Sequence, residues 1–320
     1  MSRQCSKRSD TVSKPQHIMV VIDPTTEQQK ALHRAVEYAR YQDCSLTAFL
    51  SIYDFSYEMT TMLSGEERES MRQAVIKDRE LWISEQVAPY REKGLVIDIH
   101  VEWHNRPFEA MVKAVLEEGY DMVFKGTHDH DVLKSMIFTP TDWHLLRKCP
   151  CPVLLVKDHD WPQGGNVLVA VNAGSEQDYH KSLNSRLINK AKAVAGMLSA
   201  QVHLVNAYPG TPVNIAIEIP EFNPDEYNST MKRHHVDAVK ELAGQHGIDD
   251  DHTHVLEGMP EDVIPKVARE LDAEMVLIGT IGRTGFSAAI IGNTAEHVID
   301  RLDCDVLAVK PENFVSPLEK

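Results

Sequence analysis

The chain lacks any apolar run near the roughly 20 residues that a membrane-spanning helix needs. It opens on MSRQCSKRSDTVSKPQ, a polar, basic stretch without the apolar segment of a secretory signal. Cysteine is scarce: Cys5, Cys44, Cys149, Cys151 and Cys304 are scattered over 320 residues. That spacing excludes a disulfide framework and fits a reduced compartment. Positive charge is also short, with 33 Lys and Arg against 48 Asp and Glu and a net charge of −15. The bulk field therefore repels nucleic acids and anionic membranes. Catalytic signatures are missing too. There is no GxSxG elbow, no HExxH, no Walker GxxxxGK[ST] loop and no GxGxxG after the first strand. These absences predict a cytoplasmic protein with neither nucleic-acid nor membrane partners, and nothing marks it as an enzyme.

What is present is a repeat. DMVFKGT (121–127) matches EMVLIGT (274–280), RPFEAMVKAV (106–115) matches MPEDVIPKVA (259–268), and CPCPVLLVK (149–157) falls on LDCDVLAVK (302–310), all at an offset of 153. Upstream, HIMVVID (17–23) resembles NVLVAVN (166–172) at an offset of 149. Within each copy, short Val-, Ile- and Leu-rich runs alternate with longer amphipathic stretches, the pattern of buried parallel strands joined by crossover helices. Strands are predicted near 17–22, 45–52, 95–102, 121–126 and 152–156, and again near 166–171, 201–207, 252–256, 274–279 and 305–309. Helices are predicted near 25–42, 66–93, 107–118 and 140–148, then 176–198, 225–247, 260–271 and 293–302. The fold class is α/β, two tandem doubly wound five-stranded parallel sheets. The expected division is a disordered tail (1–16), a first domain (17–156), the Pro- and Gly-containing linker KDHDWPQGG (157–165), a second domain (166–310) and a tail (311–320).

The second copy carries GTIGRTGFSAAIIGNT (279–294), in which Gly279, Gly282 and Gly292 are spaced by two and nine residues and followed by Asn293 and Thr294. Gly279 closes a strand at the carboxyl edge where open parallel sheets bind ligands. Bare backbone there admits positive φ or a close approach. The start of the last helix presents free amides to an anion such as phosphate, and Arg283 can add a charged contact. Asn293 with Glu296 also reads as a capping box that would use the same amides. The first copy, GTHDHDVLKSMIFTPT (126–141), keeps Gly126 but has Asp129 and Thr139 at the other two glycine positions, and Pro140 next. Proline donates no N–H, and Asp129 and Asp131 repel anions.

This glycine spacing, joined to the repeat, resembles the ATP-binding signature of the universal stress protein family in its tandem form, over about residues 17 to 311. The resemblance implies an adenine-nucleotide-hydrolase-like sheet in each domain. It also implies that the last strands, VLLV (153–156) and VLAV (306–309), pair antiparallel, so that one chain mimics a homodimer. ATP or another adenine nucleotide, with or without Mg, would bind only in the second domain. Gly279, Gly282, Arg283, Gly292, Asn293 and Thr294 would hold the phosphates. Asn172 would stand where the family has an acidic ribose ligand, retained as Asp23 in the first copy, and Ala207 would line the adenine. The implied function is a cytoplasmic stress-response protein acting through protein partners that the sequence does not name. Two alternatives stand beside it: a nucleotide-free module for a hydrophobic small molecule or protein, using DFSYEMTTML (54–63) and TPVNIAIEIPEF (211–222), and a slow ATPase.

No metal site is expected. HDHD (128–131) near Cys149 and Cys151 lacks the convergent spacing of a zinc site. His234 and His235 read as a helix surface, and His252 and His254 as an alternating strand edge.

Overall fold

The computed structural model describes residues 15–59, 63–129, 136–137, 139–211, 223–280 and 293–319. The first unit runs β1 (Gln16–Val21), α1 (Lys30–Ala39), β2 (Cys44–Ile52), α2 (Phe55–Met59), α3 (Gly65–Arg91), β3 (Ile97–Trp103), α4 (Pro107–Glu118) and β4 (Met122–Gly126). A two-residue pair, β5 (His128–Asp129) and β6 (Met136–Ile137), precedes α5 (Pro140–Lys148) and β7 (Val153–Val156). The second unit runs β8 (Asn166–Ala170), α6 (Asp178–Leu198), β9 (Gln201–Tyr208), α7 (Pro224–Gln245), β10 (Thr253–Glu257), α8 (Pro260–Glu270), β11 (Ala273–Gly279), α9 (Asn293–Asp300) and β12 (Asp305–Val309). Most element ends lie within a few residues of the sequence expectation. The exception is the start of α1, which follows rather than includes residues 25–29. Asp23 Oδ1 accepts the Thr25 N–H at 2.9 Å and its hydroxyl at 2.6 Å, and this local turn competes with helix at that point. The strand pair β5–β6 and the five-residue α2 are too short for periodicity to register.

The ten strands form one sheet in the order β10-β9-β8-β11-β12-β7-β4-β1-β2-β3. Every pairing within it is parallel except the central one, where Val306 faces Leu155, Leu307 faces Leu154 and Ala308 faces Val153 in antiparallel register. Strands buried on both faces need no polar alternation, which is why VLLV and VLAV carry none. Alternate residues do divide between two cores. Ile18, Val20 and Ile22 belong to the core that includes residues of α1, α3, α6 and α7, while Met19 and Val21 belong to the core that includes residues of α4, α5, α8 and α9. Both cores run unbroken through the two units.

Because the halves run antiparallel across the seam, their strand carboxyl ends lie on opposite rims of the sheet. Each unit thus has its own ligand-facing rim. The segment between the units is packed: Lys157 is 2 % exposed, and Trp161 is buried beneath the Arg34 guanidinium, 4.3 Å from the ring centre. Beyond β12 the chain folds back, with Ser316 buried and Leu318 against the second core.

Candidate functional site

In the second unit, β8, β9 and β11 end on one rim, which gathers Asn172, Ala207, Gly279 and the start of α9. Asn172 is clipped to α6. Its N–H donates to Asn184 Oδ1 and its carbonyl accepts from Asn184 Nδ2, both at 3.1 Å, which leaves its own side chain exposed. The first unit uses the same device on Asp23, whose N–H donates to Gln29 Oε1 at 2.9 Å and whose carbonyl accepts from Gln29 Nε2 at 2.7 Å. The residue that follows the first strand of each unit, Asn172 or Asp23, is thus held through its backbone by a neutral amide from its own first helix or the turn leading into it.

Gly279 has a packing reason for lacking a side chain. A Cβ there would sit 2.6 Å from Leu183 Cδ2, whereas at Gly126 the nearest atom, Lys30 Cβ, would be 3.7 Å away. The close approach expected at Gly279 is therefore made, at least in part, by α6 itself. Gly279→Ala should cost about 1–3 kcal/mol through overpacking. Gly126→Ala should be neutral within about 0.5 kcal/mol, because its new methyl meets only ordinary contacts. Paired urea unfolding curves check the contrast, and equal losses at both positions would refute it.

The two units diverge most at the helix that follows this strand. At the start of α5, Thr139 caps the helix by accepting the Asp142 N–H at 3.3 Å. Asp142 Oδ2 accepts in return from the Thr139 N–H at 2.7 Å and its hydroxyl at 2.8 Å. Asp142 is fully buried, and its Oδ1 lies 2.6 Å from Lys125 Nζ on β4. The first unit thus carries a buried, ion-paired carboxylate at the start of this helix. The positions 153 residues on are Ala295 and Ile278, both buried and apolar. The equivalence is structural as well as sequential, since Gly126 pairs with Val156 as Gly279 pairs with Val309.

Neither Lys125 nor Asp142 stood out in the sequence reading. The available signals were a lysine inside an otherwise apolar buried strand and a Thr-x-x-Asp capping pattern. Gly282, Arg283 and Gly292 lie outside the described residues, as do the side chain of Asn293, His130, Asp131, residues 60–62 and residues 212–222. Thr294 is exposed in the first turn of α9. The capping-box reading of Asn293 and Glu296 changes, because α9 already includes Asn293 and Glu296 Oε1 is taken by Arg147, whose Nε lies 3.1 Å away. That contact exists because the seam brings the last turn of α5 alongside α9.

On the opposite rim, the first unit has an open cleft of about 1060 Å³ lined by Tyr53, Phe55, Tyr57, Met71 and Trp103, among others. Phe55 and Met59 are among the most exposed apolar side chains described, at 61 % and 65 %. His234 is exposed on α7 and His254 lies on the edge strand β10, as read from the sequence, whereas His235 departs from that reading. His235 is buried and stacked on Tyr208, with ring centres 5.3 Å apart. His254 meets His203, Nε2 to Nδ1, at 3.2 Å, and burial together with His252 and His254 drives His203 down to about 4. Among the described residues no three His, Cys, Asp or Glu side chains converge as metal ligands. Cys149 and Cys151 are free thiols with sulfurs 3.5 Å apart, and no described helix is long and apolar enough to cross a membrane.

A continuous sheet of two parallel halves, each unit ending its strands at a separate rim, defines a tandem doubly wound α/β protein. The chain belongs to the universal stress protein family, whose model matches residues 14–157 and again 165–310. It is 53 % identical over 305 residues to Universal stress protein E of Escherichia coli K12, covering 95 % of this chain and 96 % of that one. The Universal stress protein E homolog of Haemophilus influenzae is 46 % identical over 300 residues, covering 92 % and 97 %. Among solved structures, a Pseudomonas aeruginosa UCBPP-PA14 protein assigned to the family superposes with a TM-score of 0.73 at 30 % identity over 95 % of this chain and 96 % of its own. An Archaeoglobus fulgidus universal stress protein, at 15 % identity and a TM-score of 0.60, covers 93 % and 97 % and shares the fold. Tandem universal stress protein domains support a stress-response role.

Proposed function

We propose that the chain is a stress-response protein that binds an adenine nucleotide, ATP in the first instance, in its second unit only, and acts by presenting its surface to protein partners. The observation that carries this reading is the asymmetry of the two helix starts. In the first unit the buried Asp142 carboxylate and Lys125 fill the anion position, and Pro140 removes a further donor. In the second, the equivalent positions are the apolar, buried Ala295 and Ile278, so neither supplies a charge there. Gly282, Arg283, Gly292, Asn293 and Thr294 would hold the phosphates, Asn172 the ribose and Ala207 the adenine face. The neutral Asn172 gives a weaker ribose contact than a carboxylate would.

The test is calorimetric titration of ATP with magnesium, together with mass analysis of small molecules released on denaturation. Binding at one site per chain that is lost in Gly292→Val supports the reading; absence of binding to a folded chain overturns it. A second reading rests on the aromatic cleft of the first unit, which fits a hydrophobic small molecule. It predicts release of an apolar compound and its loss on Trp103→Ala with Phe55→Ala.

A further inference from the structure

The turn that follows β8 is held from below by a hydrogen-bond relay. The Ala173 N–H donates to Asn206 Oδ1 at 3.0 Å, so that oxygen must face the turn. The amide nitrogen then faces the other way. Asn206 Nδ2 lies 3.0 Å from His235 Nδ1 and 3.3 Å from the Ala207 carbonyl, so both of its hydrogens are placed. Because Nδ2 can only donate, His235 Nδ1 must be the acceptor, and the neutral ring carries its hydrogen on Nε2. The relay is buried, with Asn206 1 % and His235 8 % exposed. Gly174 completes the fit: a Cβ at that position would lie 2.2 Å from His235 Cε1. The ring also stacks on Tyr208 at 19°, which fixes its plane.

We propose that His235 is the positioning residue of the second unit's strand-end site, holding the Asn172–Gly174 turn through Asn206 while neutral and releasing it when protonated, so that nucleotide binding there weakens in mild acid. Protonation places an N–H at Nδ1 directly opposite the Asn206 N–H. Two donors cannot share that contact, and turning the amide over would confront the Ala173 N–H with a second donor. Of the groups around the ring, His234 favours the neutral form, whereas a nearby carboxylate such as Glu257 would favour the charged one. His234 on the same helix stands edge-on at 5.4 Å, Tyr208 covers one face, and Glu257 on β10 acts on Tyr208. Burial and the neighbouring His234 hold His235 below the ordinary histidine range. In the first unit the corresponding turn is fixed through the Gln29 amide and the Asp23 carboxylate, with no histidine beneath it, so a histidine-linked response belongs to the second unit.

The inference rests on the nucleotide reading above, and its test separates the two. Calorimetry with ATP and magnesium on the full chain at pH 7.5 and 5.5 is compared with His235→Asn, whose Oδ1 supplies a non-titrating acceptor near the place of Nδ1. By linkage the wild type should lose several-fold in affinity at pH 5.5 beyond any loss in the variant, and less than the roughly tenfold that an unshifted histidine at 6.5 would allow. The nucleotide's own protonation is common to both proteins and cancels. Equal pH dependence in both would overturn the positioning role. In parallel, amide-exchange protection at Ala173 and the nitrogen shifts of His235 are followed without nucleotide. Protection that falls as His235 protonates, and holds in His235→Asn, supports the relay even if ATP binds at neither pH. Protection that is indifferent to His235 protonation would sink it.

Discussion

Arg34→Met is expected to destabilise the chain by about 3–5 kcal/mol, because it strands a buried carboxylate. Arg34 leaves α1 of the first unit and places Nε 2.9 Å from Asp305 Oδ2, at the start of β12 in the second unit. Its other nitrogens reach Glu37 Oε2 at 2.7 Å and the His159 carbonyl, and the guanidinium lies over Trp161. Asp305 is fully buried and also accepts the Lys157 N–H at 2.7 Å through Oδ1. Burial pushes its carboxyl up to about 7, against the pull of Arg34 and the Lys157 amide. Without Arg34, either the charge stays unpaired or the carboxyl takes up a proton, and both states are worse than the native pair. The double variant Arg34→Met with Asp305→Asn should recover much of the loss, since no charge is then left stranded. Lys30→Met removes a far more exposed partner, 2.8 Å from Asp158, and should cost about 1 kcal/mol or less. Urea unfolding measures all three. An Arg34→Met loss no larger than that of Lys30→Met would show that the seam is held by its apolar strands alone.

The β-strands were legible because burial on both faces leaves continuous apolar runs, and the repeat doubled each signal: VFKG and VLIG mark the same strand twice. The seam was legible only through the family resemblance, since nothing in VLLV or VLAV states which edge each strand seeks. The site was harder to read. A glycine pattern says where bare backbone stands but not what occupies the space, and at Gly279 the occupant is Leu183 from a helix almost a hundred residues earlier. Asp142 and Lys125 lie 17 residues apart in sequence, and their meeting depends on β4 and α5 sharing one rim. Asn206 and His235 have no sequence relation at all; only the stacking of α7 on β9 joins them.

Transplanting the first unit's internal ion pair into the second should abolish nucleotide binding. In the variant Ile278→Lys with Ala295→Asp, the new carboxylate takes the third position of α9, where Asp142 stands in α5. It would use the helix-start amides and oppose phosphate at close range. Two like charges about 4 Å apart near a protein surface repel by roughly 4 kcal/mol. The paired lysine offsets part of this, so a fall of about 100-fold in ATP affinity is the expected outcome, close to 2.8 kcal/mol. Ile278→Lys alone would bury an unpaired cation and should lower stability, and Ala295→Asp restores it if the transplanted pair forms as in the first unit. The reverse exchange, Lys125→Ile with Asp142→Ala, should cost only about 1 kcal/mol, from the lost Asp142 half of the helix cap, because an apolar pair can replace a buried ionic one. It should gain no ATP binding, since Pro140 still lacks the N–H that the helix start would have to offer. Titration of ATP with magnesium at pH 7.5 decides between the outcomes. If the grafted chain stays folded and binds ATP as the wild type does, the phosphates do not sit at the start of α9.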